Sequence, residues 1–94
     1  MMARKSERQD ALELVGAYHE EQLSVLLGRA GDAVDRFRSG EADAFETDAV
    51  LFQYGRAAKE LWKFCNIGDP FSTAAVITDG PALGWWARGA FRQR

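Results

Sequence analysis

The chain has 94 residues, 14 acidic side chains against 12 basic ones and a formal charge of −2, so it is one domain by size, with no reason to expect a polyanion as partner for the whole molecule. So small a chain shelters only about two-thirds of the surface that its unfolded form exposes, which makes added core from a second copy an expectation from length alone. The single cysteine, Cys65, excludes an intrachain disulfide and a cysteine-rich metal knuckle, and no apolar run approaches the roughly eighteen residues of a membrane span. Met1 to Gln9 is polar, and Glu13, His19, Glu20 and Glu21 interrupt the apolar residues after it, so no signal peptide is read and cytoplasmic residence is the expectation.

Residues 1–5 lack apolar periodicity and are expected to be disordered. A first helix is expected over 6–38, with Ser6 or Asp10 as N-cap and Glu13 completing a capping box with Asp10. Leu12, Val15, His19, Leu23, Leu26, Leu27, Ala30, Ala33, Val34 and Phe37 fall along one side of it. Gly16, Gly28 and Gly31 each cost about 1 kcal/mol relative to alanine in a helix. The apolar line stays in phase through them, which favours a continuous helix whose small residues let another helix come close. Ser39-Gly40 ends it.

A second helix is expected over 42–66, capped by Asp43 with Glu46 three residues on, or started slightly earlier at Glu41. It holds the densest helical spacing of large apolar groups: Val50, Tyr54, Ala57, Ala58, Leu61 and Cys65 share a stripe flanked by Leu51 and Phe64. Phe45, Ala49 and Phe52 occupy the opposite side, which Arg56, Lys59 and Lys63 take over further along, facing water. The acidic run Glu41, Asp43, Glu46 and Asp48 suits the positive end of the helix dipole.

Ile67-Gly68-Asp69-Pro70 is a stop, with Gly68 as terminator and Asp69-Pro70 as cap and first turn of a third helix. Short helical segments are expected over 70–90. Val76, Ile77 and the threonines of 71–78 would also suit a strand, but no second strand exists to pair with it. Asp79-Gly80-Pro81 interrupts, one or two turns carry Trp85 and Trp86, and 91–94 is a basic tail.

These elements predict an all-α fold: an antiparallel hairpin whose longer first helix overhangs at its N-terminal end. Phe71, Val76, Ile77, Leu83 and the tryptophans are available to cover the overhang. A second apolar line, Leu14, Tyr18 and Val25, matched by Phe45, Ala49 and Phe52, predicts a homodimer interface and a four-helix bundle.

Chemistry-bearing residues are few. His19, the only histidine, lies on the apolar line beside Glu20 and Glu21; the alternative to a core or interface histidine is a metal ligand at His19 and Glu20, although no Glu-x-x-His spacing accompanies it. Cys65 sits on a core stripe, where a thiol acts as a small hydrophobe, and His19 is the one candidate base for a nucleophilic role. Trp85 and Trp86 diverge by about 100° on a helix, so one or both of them are expected to dock on another subunit or another protein, with Arg88, Phe91 and Arg92 beside them. The plain alternative is that the tryptophans cover the hairpin's end and the arginines are solvated. A third reading binds nucleic acid through Arg4, Lys5, Arg8 and Arg88 to Arg94, with aromatics stacking on bases. Phosphate loops, paired zinc motifs and nucleophile elbows are absent, and no cofactor is expected.

Glu60-Leu61-Trp62-Lys63-Phe64-Cys65 and the ending Trp85-Trp86-Ala87-Arg88-Gly89-Ala90 with its following arginines resemble small all-helical actinobacterial proteins of uncharacterised function. The resemblance spans the C-terminal half, implies a helical hairpin and a bacterial origin, and carries over no catalytic residue. The expectation is therefore a non-enzymatic, homodimeric helical module that binds another protein.

Overall fold

The computed structural model describes residues 2–91, with side chains from residue 6 onward. Four helices, α1 (Met2–Arg38), α2 (Ala44–Asn66), α3 (Pro70–Asp79) and α4 (Trp85–Arg88), carry the described chain, and none of them is long and apolar enough to cross a membrane.

Helix α1 begins at Met2, so residues 2–5 are helical rather than disordered. Methionine, alanine, arginine and lysine are good helix formers, and extending an existing helix needs no new nucleus. Asp10 and Glu13 consequently lie inside the helix, where Gln9 Nε2 donates to Glu13 Oε2 at 3.1 Å and no capping box forms between them. The helix passes unbroken through its three glycines. It ends at Gly40, whose φ of 85° only glycine adopts freely, with the Glu41 amide donating to Arg36 O at 2.8 Å and the Gly40 amide to Phe37 O at 3.1 Å.

The start of α2 is the expected capping box: Asp43 Oδ1 accepts from the Glu46 amide at 2.8 Å and Glu46 Oε1 accepts from the Asp43 amide at 3.1 Å. Its end differs from expectation. Ile67, right-handed, is the C-cap, and Gly68 has no positive φ. The stop comes from Pro70, whose ring drives Asp69 out of helical geometry to ψ 129°. Asp69 then caps α3 through the Ser72 amide at 3.0 Å, with Pro70 in the first turn, so 70–79 is helix and not strand.

Helices α1 and α2 form the antiparallel hairpin, and α3 packs on the overhang of α1, where Ala11 and Val15 are buried. The core lies between the hairpin and α4, around Leu26, Ala57, Leu61 and Trp85. The stripe read on α2 is the one that faces inward. On α1 the buried line is rotated from the expected one: Ala11, Val15, Leu26 and Ala33 are buried and Tyr18 and Gln22 half-buried, while Leu12, Leu27 and Phe37 are exposed. The apolar arc of α1 is wider than the part of its circumference that α2, α3 and α4 cover. The tryptophans do not cover the overhang; α4 lies against the middle of the hairpin instead.

Candidate functional site

Two surfaces flank the hairpin. The first carries the C-terminal strap, residues 81–91, and Trp85 pins it. Its ring is 5% exposed, packs 5.2 Å from Phe64, and its Nε1–H donates to the Tyr18 hydroxyl at 2.7 Å. Tyr18 in turn meets Phe64 edge-on at 6.0 Å. Trp85 is thus a core residue of its own chain and not a free anchor for a partner, and Tyr18 belongs to that same core and not to a dimer face. Side chains of α2 clamp the strap from the other side, Gln53 Nε2 donating to Trp86 O at 2.9 Å and Arg56 Nε to Gly89 O at 2.5 Å. Arg56, expected to face water, is half-buried by this role.

The neighbouring tryptophan diverges as helix geometry requires. Trp86 is half-buried, with the Arg29 guanidinium 5.0 Å from its ring centroid. Arg88 lies 5.0 Å from the Trp85 ring and donates through Nε to Leu83 O at 2.7 Å, so it braces the strap. Phe91 is exposed, with Arg56 at 6.0 Å from its ring. Of the remaining expected contact residues, Arg92 and Arg94 and the side chains of Arg4 and Lys5 lie outside what is described, and Arg8 is exposed.

The second surface is the opposite side of the hairpin, and no element of the described chain lies over it. Phe37 of α1 and Leu51 of α2 stand out there, and by helical spacing Leu27 and Trp62 fall on the same side, each between 40% and 54% exposed. Phe37 and Leu51 line one shallow concavity with Ala44 and Thr47, which places residues of both helices on this side. The interface expected from Leu14, Tyr18, Val25, Phe45, Ala49 and Phe52 is not one surface. Val25 lines the strap side, Tyr18 is in the core, and Phe45, Ala49 and Phe52 lie on the outer flank of α2, with Phe45 86% exposed.

His19 is half-buried and lines a shallow concavity of about 400 Å³ on the uncovered side with Gly16, Glu20, Leu23, Ser24 and Leu27. Glu20 is exposed, its backbone carbonyl taken by the Ser24 hydroxyl at 2.9 Å. No group of three or more His, Cys, Asp or Glu side chains is placed to hold a metal among the described residues. Burial pushes the Cys65 thiol up from 9.0 to about 11, the opposite direction from an activated nucleophile. The folded thiol holds its proton more tightly than the unfolded one, so the stability this lends is full below pH 9.0 and is lost as pH rises toward about 11. Cys65 should therefore alkylate far more slowly than a free thiol at pH 8 in the native protein and at the free rate in denaturant; equal rates in both would contradict this burial.

The arrangement is an all-α hairpin with one side strapped and one side bare. No protein-family model, curated protein or solved structure matches the chain.

Proposed function

We propose that the protein is a non-enzymatic helical module that works as a homodimer, two hairpins pairing through their bare sides into a four-helix bundle. The observation that carries this reading is area. The chain exposes 6976 Å² for 10.5 kDa, about a quarter more than the roughly 5,400 Å² expected of a compact monomer of that mass. The excess of roughly 1,500 Å² is about twice the 800 Å² that one partner of a standard interface buries, so the protruding end of α1 accounts for part of it and a pairing surface has area to draw on. The bare side offers apolar groups for that burial: Leu27, Phe37, Leu51 and Trp62.

Gly55 adds local support. It lies between Leu51 and Trp62 along α2, and a Cβ built there meets nothing within 4 Å. Nothing inside one chain asks for glycine at a helix interior, where it costs about 1 kcal/mol. A second helix crossing at that notch would make use of it.

Light scattering tests the pairing. The wild type is expected at twice 10.5 kDa, and the double variant Leu51→Asp, Trp62→Glu at one copy with its helical circular dichroism kept. Phe45→Ser, on the outer flank, should leave the mass unchanged. A wild type that stays at one copy at high concentration, or a double variant that still pairs, removes the reading.

A further inference from the structure

The strap leaves a groove of about 360 Å³ between itself and α1, bounded by Tyr18, Gln22 and Arg29 on the helix and by Pro81, Leu83 and Trp86 opposite. That is within the lower range of small-ligand sites, about 300–1,000 Å³, and its walls have the expected character: mostly apolar, with a few converging polar groups. It lies on the side of the hairpin away from the surface proposed for pairing, so it does not depend on that reading.

Each polar side chain of the groove has a donor to spare. The Tyr18 oxygen accepts from Trp85 Nε1, which leaves its own O–H hydrogen free to donate. The half-buried Gln22 amide and the Arg29 guanidinium make no side-chain hydrogen bond or ion pair among the described residues. The exposed Arg29 guanidinium lies over the Trp86 ring, its carbon 5.0 Å from the centroid, and carries more N–H donors than that contact uses. No carboxylate lines the groove, although acidic side chains outnumber basic ones in the chain. An apolar slot with one cation, two neutral donors and no anion is complementary to a small molecule that carries a carboxylate on a flat apolar body. The carboxylate would take the Arg29 fork and the Gln22 amide, and the ring would lie along Trp86 and Leu83.

The geometry points to this groove as a binding site for small aromatic carboxylates, with Arg29 as the residue that selects the charge and Trp86 as the one that selects the flat ring.

The test is a titration of the full-length protein with 3-phenylpropionate and with indole-3-acetate, each beside its neutral amide, followed by amide chemical shifts. Saturable shifts at Gln22, Arg29, Gly84 and Trp86 are expected, with half-saturation on the order of 0.1 mM, as befits fragments of this size. The neutral amides should bind at least about tenfold more weakly. Arg29→Gln should weaken the carboxylates by about tenfold and leave the amides unchanged, while Gln22→Leu, which keeps the side-chain bulk, should weaken the carboxylates severalfold. Arg29 is exposed and Gln22 half-buried on α1, and an unchanged spectrum elsewhere confirms that the variants fold. Absence of saturable shifts from either carboxylate up to about 10 mM, well past the range of specific fragment affinities, overturns the assignment. So do shifts that map elsewhere or persist undiminished in Arg29→Gln.

Discussion

Trp85→Ala is expected to cost about 3–5 kcal/mol, a large part of the stability of a domain this size. Trp85 is one of four buried residues that form the central cluster, and Leu26 and Leu61 are the large side chains most fully enclosed, so little remains to compensate. The loss is not confined to one side chain. A four-residue helix such as α4 cannot stand alone, and Trp85 is the residue through which it reaches the core. Without that ring the strap should leave α2, uncovering Ala57 and Leu61 and releasing Arg88 from Leu83 O. Two measurements at fixed protein concentration check this. The denaturation midpoint should fall steeply, and trypsin should cut after Arg88 under native conditions, where the wild type resists. Trp85→Phe separates the parts: it keeps most of the packing, loses the bond to Tyr18, and should cost about 1 kcal/mol plus a small cavity. If Trp85→Ala unfolds at nearly the wild-type midpoint, the ring is not the pin of the strap.

How far the fold could be read from residues alone differs between the two long helices. On α2 the stripe Val50, Tyr54, Ala57, Ala58, Leu61 and Cys65 is the side that turns inward, toward α1 and α4, while Leu51 and Trp62 at its edge and Phe45 and Phe52 behind it stay exposed. On α1 the arc extends from Tyr18 round to Leu27, wider than α2, α3 and α4 together cover, so periodicity located the apolar side but could not say which edge would be left in water. The Asp43–Glu46 capping box and the Asp69–Pro70 start of α3 are local chemistry and were legible to the residue, whereas the Asp10–Glu13 box did not form because α1 starts at Met2, and Pro70 acts in place of Gly68.

The strap was legible only in part. The divergence of Trp85 and Trp86 was certain from helix geometry, but which of them enters the core depends on the direction in which the chain returns after Pro81. Gln53 and Arg56 gave no signal. Each donates to a backbone carbonyl 33 residues away, and a bond to a carbonyl leaves no trace in the identity of the residue that supplies it. The Arg29 groove was hidden for the same reason: Tyr18, Gln22 and Arg29 are an ordinary surface line on α1 until the strap faces them.

Gly89→Ala is the second substitution expected to be severe, and it reports on how closely the strap and α2 approach. The φ of −87° at Gly89 is one that any residue adopts, so backbone freedom is not the reason for glycine here. Space is. A Cβ at this position would lie 2.5 Å from Ala57 N and 2.8 Å from Ala57 Cβ, and close against the carbonyl of Gln53. These are backbone atoms of a helix interior and a fully buried methyl group, none of which can swing aside as a long side chain would. The strap must move instead, and moving it breaks the Arg56 bond to Gly89 O and the Gln53 bond to Trp86 O while prying Trp85 from its place. Overpacking of this kind costs about 1–3 kcal/mol, and the attached losses put the expectation at the upper end, about 3 kcal/mol, or a fall in midpoint temperature of roughly 12–24 °C for a domain of this length. Gly55→Ala is the matched control, since a Cβ there meets nothing within 4 Å. It should leave the fold as stable or raise it by about 1 kcal/mol wherever the chain is monomeric. A Gly89→Ala variant as stable as wild type would mean that the end of α4 does not lie against Ala57.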